Sequence, residues 1–203
     1  MTQEKKHPDP ERASHRRKQV LDAAACCFSR HGFHGASMAE ISKTAGMSAG
    51  HIYNYFDSKD AIIAAFVEQN MARVSNIMHD LAQREDPLQA MIDDVEERVQ
   101  ECLDPSIWAV PLEIHSEASR NPKIAATMQA ADQRSRAQLH TIVAAAREKR
   151  GLPAGADLVE GRINAMIAMY QGLAVRHVHN PELVQTGLID AMRIAMRALM
   201  MDQ

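Results

Sequence analysis

The 203-residue sequence lacks any apolar run long enough to cross a membrane, and no apolar segment follows the basic residues near its N-terminus. We therefore expect neither a membrane span nor a secretory signal. Cysteine is also scarce. Two of the three, Cys26 and Cys27, are adjacent, which is unfavourable geometry for a disulfide between them. A reducing cytoplasm is the predicted location.

Glycine and proline are few, at nine and eight residues, and alternating runs rich in Val, Ile and Tyr are absent. The chain is instead rich in residues that favour helices, such as Ala, Met, Gln, Glu and Arg. Hydrophobic residues make up 46% and charged residues 24%, which suits a globular chain with a core. The composition thus predicts an all-α protein.

Motifs of enzymes are missing as well. The sequence has no P-loop, no dinucleotide-binding fingerprint and no Gly-x-Ser-x-Gly elbow. The His pairs 31/34 and 177/179 lack the spacing of a helical metal site, and the repeated Glu-x-x-His pattern of di-iron helices is absent. We predict a non-enzyme without metal or cofactor. An all-helical enzyme, or an interaction protein without DNA binding, is the alternative.

The charge is unevenly distributed. Residues 1–59 contain nine Lys/Arg and six Asp/Glu, whereas the remaining part has an excess of six acidic residues. A basic N-terminal module on an acidic body is typical of a small DNA-binding domain joined to a larger domain. Arg16, Arg17 and Lys18 lie near a predicted helix N-terminus, where cations are unfavourable. They are either an ordinary solvated helix start or a contact to the DNA backbone.

Caps and breakers divide the chain into about nine helices. We predict a first helix from Ser14 to His31, stopped by Gly32. Three further helices are capped by serines. Ser37 is predicted to cap a short helix, with the Glu40 side chain folding back to the Ser37 backbone. Ser48 is predicted to cap a helix through Phe56, and Ser58 to cap a helix over 59–83.

The later helices follow the same rules. Asp86-Pro87, Asn121-Pro122 and Asn180-Pro181 each read as an N-cap followed by proline at the first helical position. Arg150-Gly151 reads as a helix C-terminus. A helix from near Ser106 should be kinked, or delayed in its start, by Pro111. The remaining predicted helices span 87–103, 159–179 and 182–200.

Residues 38–56 have the pattern of a helix-turn-helix. Ile41 and Ala45 should face inward, Gly46 allows a left-handed turn, and Met47 should fill the core beside it. Ile52 and Phe56, four residues apart, should anchor the second helix. Its outward residues can then meet DNA, because small side chains at its start let the helix end enter the major groove.

The stretch from Val20 to Leu81 resembles the DNA-binding domain, and the helix after it, of the tetracycline-repressor (TetR) family. The first helix carries Ala23, Ala24 and Phe28 before Gly32-Phe33. The resemblance continues at Ser37-Met38, Ile41, Ala45-Gly46, Ser48, Gly50, Ile52-Tyr53, Phe56 and Lys59-Asp60. Ser42 in place of a usual Ala, and Cys26-Cys27, are mild departures. Residues 82–203 resemble the family only in helix layout.

The resemblance implies a repressor with a DNA-binding domain at 14–57 and a ligand-binding and dimerisation domain at 58–203. The resemblance further implies that this repressor binds a palindromic operator and is released from it by a small effector. The residues predicted to contact phosphates are Arg16, Arg17, Ser37, Tyr53, Tyr55 and Lys59. Those predicted at or near base edges are Lys43, Thr44, Ser48, Ala49, Gly50, His51 and Asn54.

Effector and partner surfaces are predicted in the second domain. Because that domain is acidic and Met-rich, with no Lys/Arg cluster, an apolar or cationic effector is expected. The predicted effector contacts are Trp108, Leu112, Glu113, His115, Met128, Met166, Met169 and Tyr170. The helices over 159–179 and 182–200 are apolar nearly all round, which predicts a two-fold homodimer. The predicted interface residues are Ile163, Ile167, Leu188, Ala191, Ala195 and Leu199.

Overall fold

The computed structural model describes residues 10–183 and 185–202, without the side chains of Pro10, Ala49, Gln185 and Thr186. These residues form ten helices and no strand, which confirms the predicted all-α class. The helices are α1 (Pro10–Gly35), α2 (Met38–Thr44), α3 (Ala49–Ile52), α4 (Lys59–Gln83), α5 (Pro87–Asp93), α6 (Val95–Leu103), α7 (Pro105–Ala118), α8 (Pro122–Lys149), α9 (Ala156–His179) and α10 (Gln185–Met201). Across the described ranges, no helix is long and apolar enough for a membrane crossing.

The described part of the chain has ten helices instead of about nine because the segment predicted as one helix over 87–103 is divided into α5 and α6. Asp94 has a ψ of 0°, and its N–H donates to the carbonyls of both Ala90 and Ile92. Its own carbonyl accepts from Arg98 N and starts α6. The apolar spacing continues across the break, because Leu88 and Ile92 before it and Val95 and Val99 after it are all buried. Hydrophobic periodicity therefore could not reveal the division.

Two predicted helix starts are corrected. The first helix begins at Pro10 rather than Ser14, and it leaves helical geometry at Gly32, where φ is 67°. The second correction concerns Asn180-Pro181, which does not begin a helix. Asn180 instead caps the end of α9 by donating to Arg176 O, and Leu183 N closes a turn on Asn180 O. The last helix starts at Gln185.

The helix that contains Pro111 begins without delay at Pro105 and runs to Ala118. Asp104 starts it, because its side-chain oxygen accepts from Ser106 N at 2.8 Å. A hydrogen bond from the Ser106 side chain, followed by this backbone bond, lowers the pKa of Asp104 below its usual value. Pro111 has no N–H, so the carbonyl one turn earlier loses its helical donor. The helix nevertheless continues through this position.

The predicted end of α8 at Arg150-Gly151 is confirmed in detail. Gly151 has a φ of 69°, a left-handed conformation that glycine adopts without steric cost. Gly151 N donates to Glu148 O at 2.9 Å and Leu152 N donates to Arg147 O at 2.9 Å. These two bonds are the Schellman motif, which satisfies the last carbonyls of a helix.

The chain forms two compact units. Unit 1 comprises residues 1–67 and 110–125, and unit 2 comprises residues 68–109 and 126–203. Unit 1 thus contains the first nine residues of α4 and the second half of α7, both of which lie beyond the predicted 14–57 domain. Inside unit 1, α1 packs on α2 and α2 on α3 around the ring of Phe28, which lies 5.6 Å from that of Phe33 and 6.3 Å from that of Phe66.

Unit 2 is a bundle in which α9 and α10 pack on α5 and α6. Its core is aliphatic and rich in methionine, with Met192, Met196 and Met200 all buried along α10. The side chain of Arg147 is fully buried here. It donates to the backbone carbonyls of Met200 and Pro153 at 2.6 and 2.7 Å, and to that of Asp202 at 2.9 Å.

Candidate nucleic-acid interface

The turn between α2 and α3 is built from a second Schellman motif. Gly46 has a φ of 63°, its N–H donates to Lys43 O at 3.1 Å, and Met47 N donates to Ser42 O at 3.0 Å. Ser42 adds a bond that was not foreseen from the sequence. Its buried hydroxyl donates to Met47 O at 2.7 Å and so bridges the turn. The serine that replaces a usual alanine therefore stabilises the angle between the two helices.

The apolar anchors lie where the pattern predicts. Ile41, Ala45, Ile52 and Phe56 are all buried, with at most 4% of each residue exposed. Met47 is half-buried at the turn. Because these residues fix α3 on α2, the remaining side chains of α3 are left on the outer surface of unit 1.

Three predicted serine caps are confirmed. Ser37 Oγ accepts from Glu40 N at 3.1 Å, Ser48 Oγ from His51 N at 3.3 Å, and Ser58 Oγ from Ala61 N at 3.1 Å. The Glu40 carboxylate, which the predicted capping box would return to Ser37, lies 3.4 Å from His31 Nε2.

The helix α3 is shorter than the predicted 49–56. Regular helix ends at Ile52, and the chain continues as tight turns in which Asn54 N donates to His51 O and Tyr55 N to Ile52 O. Phe56 N still donates to Ile52 O at 3.1 Å. The last turn is therefore tightened without loss of the anchor, which is common at helix ends.

The outer face of this segment carries the predicted base-contacting residues. Gly50, His51 and Asn54 are exposed, and Tyr53 has 51% of its surface exposed although it is a large aromatic residue. Tyr55 is half-buried, its ring centroid lies 5.5 Å from that of His51, and its hydroxyl lies 3.4 Å from His51 Nε2. The side chain of Ala49 lies outside the described residues.

Two basic side chains of unit 1 lie over aromatic rings. Lys59 Nζ donates to Phe33 O at 2.6 Å and lies 4.4 Å from the centroid of the Phe33 ring. The guanidinium of Arg17 lies 4.8 Å from the ring centroid of Phe56. Arg16 donates to Gln19 at 2.8 Å, and Lys43, Thr44, Ser37 and Ser48 are all exposed. The arrangement can bind an anion beside an exposed helix end.

Comparison with known proteins agrees with this geometry. Residues 20–66 match a sequence model of the family described as "Bacterial regulatory proteins, tetR family". Residues 84–200, more than half of the chain, match one described as "BetI-type transcriptional repressor, C-terminal". The chain belongs to the TetR family. This membership confirms the predicted family and places the protein among transcriptional regulators rather than enzymes.

The individual relatives of this TetR-family regulator match it at low sequence identity or over only part of its length. The HTH-type transcriptional regulator UidR of Escherichia coli K12 is 33% identical over 118 residues, which cover 55% of this chain and 56% of UidR. The chain thus matches about half the length of this relative. Salmonella enterica GusR has the same fold, with a TM-score of 0.77 and 24% identity over 96% of this chain and 98% of GusR. A transcriptional regulator of Saccharomonospora viridis, solved in complex with choline, has a TM-score of 0.68 and 21% identity over 94% of this chain and 97% of its own.

The residues predicted to contact an effector are divided between the two units. In unit 2, Met166 is buried, and Trp108, Met128, Met169 and Tyr170 are partly buried. The Trp108 ring lies edge-on to His177 at 6.1 Å. Trp108 Nε1 and the Tyr170 hydroxyl are both buried without a hydrogen-bond partner. Burial raises the pKa of Tyr170 to about 12.

The other three predicted effector contacts, Leu112, Glu113 and His115, belong to unit 1. Glu113 accepts a hydrogen bond from Phe33 N at 3.3 Å, so its carboxylate already has a partner in the DNA-binding part of the chain. Leu112 is half-buried. His115 is exposed overall. Protein atoms near its ring nevertheless desolvate the imidazole, and this desolvation lowers the pKa of His115.

The predicted dimer residues need one correction. Ile163 has no exposed surface within the single chain, so it belongs to the core of unit 2 and has none to offer a partner. Ala191 is exposed, and Ile167, Leu188, Ala195 and Leu199 are half-buried.

Among the described residues no group of three or more His, Cys, Asp or Glu is arranged to bind a metal ion.

Proposed function

We propose that the protein is a sequence-specific transcriptional repressor that binds a near-palindromic operator as a homodimer. The observation that carries this proposal is the exposed face of residues 50–54, held outward by the buried Ile52 and Phe56 and entered through a fixed turn. Helix-turn-helix proteins place such a face in the major groove. A cytoplasmic location accords with this role.

The roles of the individual residues are proposed from their placement. His51 and Asn54 carry side-chain groups that can bond base edges, with Lys43, Thr44, Ser48 and Ala49 beside them. Ser37, Tyr53, Tyr55, Lys59, Arg16 and Arg17 are proposed to bind phosphates. Lys59 is the best supported of these, because its bond to Phe33 O and its place over the Phe33 ring hold the ammonium at the start of α4.

A homodimer is supported by the outward faces of α9 and α10. On α9 the exposed residues at helical spacing are Gly161, Ala165, Ala168, Gly172 and Val175, and on α10 they are Gly187, Ala191, Ile194 and Ala198. Ile194 has 71% of its surface exposed. Small and apolar faces of this kind allow two helix pairs to pack closely in a four-helix interface. Ile194→Arg should therefore give monomers, whereas Arg197→Ala, a neighbouring exposed change, should not.

The effector is proposed to be apolar or cationic. Met128, Met166 and Met169 offer adaptable apolar surface. Trp108 Nε1 and the Tyr170 hydroxyl offer unused hydrogen-bonding groups. The S. viridis regulator of the same fold holds the cation choline, which is consistent with this class of effector. Effector binding is proposed to favour a state that releases the operator. Glu113 is a weaker candidate contact, because it already accepts from Phe33 N.

Selection of duplexes from random DNA by the purified full-length protein tests the proposal. We expect a near-palindrome, with affinity that falls steeply as salt rises. Lys59→Ala and Tyr53→Phe should lower affinity for all sequences. Asn54→Ala should also change preference at one base, by about 1–3 kcal/mol. Asn76→Ala, an exposed position on α4, is the control. Failure to select any sequence at moderate salt contradicts the proposed function.

A further inference from the structure

A buried carboxylate on α7 has no role in the proposed function so far. The side chain of Glu117 is 4% exposed, and its Oε2 lies 2.9 Å from His34 Nε2. Asn121 Nδ2 donates to Oε1 at 3.1 Å, and Arg120 Nε lies 3.7 Å from Oε2. We call these four residues the Glu117 cluster. All of them belong to unit 1.

A second carboxylate of α7 lies one turn earlier and holds the same stretch of chain. Glu113 Oε2 accepts from Phe33 N at 3.3 Å, while Lys59 at the start of α4 donates to Phe33 O. A Cβ at Gly32 would lie 3.4 Å from Glu113 Oε2, so the Glu113 carboxylate is in van der Waals reach of Gly32. The peptide groups at Phe33 are thus fixed from one side by α7 and from the other by α4.

We infer that Glu113 and Glu117 are positioning residues for DNA binding, which fix the Gly32–His34 segment to α7. A buried carboxylate is costly unless it is paired, so the Glu117 cluster favours one geometry over loose alternatives. The Gly32–His34 segment leads directly into the Ser37 cap of α2. Its position therefore influences where the helix-turn-helix begins. The inference rests on the proposed function, because it assumes that unit 1 binds an operator.

The course of α7 gives this arrangement a consequence. Residues 105–109 of the helix, including Trp108, belong to unit 2, and residues 110–118, including both carboxylates, belong to unit 1. A change in α7 that accompanies operator binding should therefore reach Trp108 along one continuous helix. Trp108 is the only tryptophan in the sequence, so its fluorescence reports on α7 without interference from another indole.

The test compares the wild-type protein with the double variant Glu113→Ala/Glu117→Ala, which removes both acceptors, each titrated with the same selected operator duplex. Saturating duplex should change the Trp108 emission, or the amide hydrogen exchange of residues 105–118, in the wild type. In the double variant this response should be lost although the duplex still binds at higher protein concentration. Operator affinity should fall about fivefold or more, the lower end of typical coupling between sites.

Asp22→Ala is the matched control, because it removes a carboxylate that pairs with Lys18, 2.8 Å away, at an exposed site on α1 outside the helix-turn-helix. This variant should keep the full Trp108 response. A response that survives in the double variant overturns the inference, and so does a wild type in which saturating duplex alters neither observable. If the double variant loses helical content, the single change Glu113→Ala, which removes the acceptor for Phe33 N, serves in its place with the same expected loss. A wild type that binds no duplex at all contradicts the proposed function itself.

Discussion

Among the described residues, each unit buries one charged side chain, and the two are stabilised differently. Arg147 of unit 2 is fully buried and donates to three backbone carbonyls, two of them at the end of the chain. Glu117 of unit 1 accepts a hydrogen bond from the Asn121 side chain at Oε1, whereas its buried Oε2 lies 2.9 Å from His34 Nε2 without a hydrogen bond, and His34 is itself 68% exposed. Backbone carbonyls stay in place whatever the sequence around them, whereas side-chain partners can return to water. The comparison indicates that Arg147 joins backbone segments of unit 2, whereas Glu117 joins side chains of unit 1.

The largest expected effect is at Arg147. Arg147→Met removes the donors for the Pro153, Met200 and Asp202 carbonyls, which lie in a largely desolvated site. Unpaired buried acceptors are costly, so we expect a loss of about 3 kcal/mol in the free energy of unfolding. Chemical denaturation followed by circular dichroism measures it. Arg150→Met, which removes an exposed pair with Asp86, should cost less than about 1 kcal/mol. Equal losses of stability in the two variants contradict a stabilising role of the three bonds from the buried Arg147.

Glu117→Ala should have a smaller effect, about 1–2 kcal/mol, because only Asn121 Nδ2 loses a partly buried acceptor while His34 and Arg120 regain water. The same denaturation measurement applies. In a double-mutant cycle with His34→Ala, the two changes should be non-additive, since they remove one contact. Strict additivity shows that His34 and Glu117 do not interact in solution.

The two Schellman glycines allow a matched comparison of the units. Gly46→Ala and Gly151→Ala each force an L-residue into the left-handed region, and a Cβ at either site meets no atom within 4 Å. Each should therefore cost about 1–2 kcal/mol from backbone strain alone. Operator affinity should fall only for Gly46→Ala, because that turn sets the angle of α3. Gly155→Ala, where φ is −57°, is the control without left-handed strain, and it should cost less than either change because only the N-cap preference of α9 is affected.

The smallest expected effect is at Asp86. The hydrogen bond from Arg150 is the main cause that lowers the pKa of Asp86, with the cap bond from Gln89 N adding to it. A carboxyl with a lowered pKa in the folded state stabilises the fold above its unfolded pKa and loses this effect as the pH falls through its folded pKa. Asp86→Asn keeps the cap, so it should cost about 0.5 kcal/mol at neutral pH. The difference from wild type should vanish in acid, and a constant difference across pH contradicts this account.

The sequence by itself determined the features that depend on neighbours a few residues away. Serine caps, the glycines at positions 32, 46 and 151, and the Asp86-Pro87 and Asn121-Pro122 starts all hold in the structure. The buried anchors of the helix-turn-helix and the all-α class were equally predictable from the sequence. Each of these is fixed by hydrogen bonds or side-chain periodicity within about one or two helical turns.

Contacts between distant residues were decided only by the tertiary structure. Glu113 has the spacing of an effector contact but accepts from Phe33 N, 80 residues away in sequence. Ile163 has the character of an interface residue but is enclosed by its own chain. The helix break at Asp94 occurs within a continuous apolar pattern, and two of the three carbonyl partners of Arg147 lie 53 and 55 residues further along. Periodicity tells which face of a helix is apolar, whereas only packing determines which neighbour covers it.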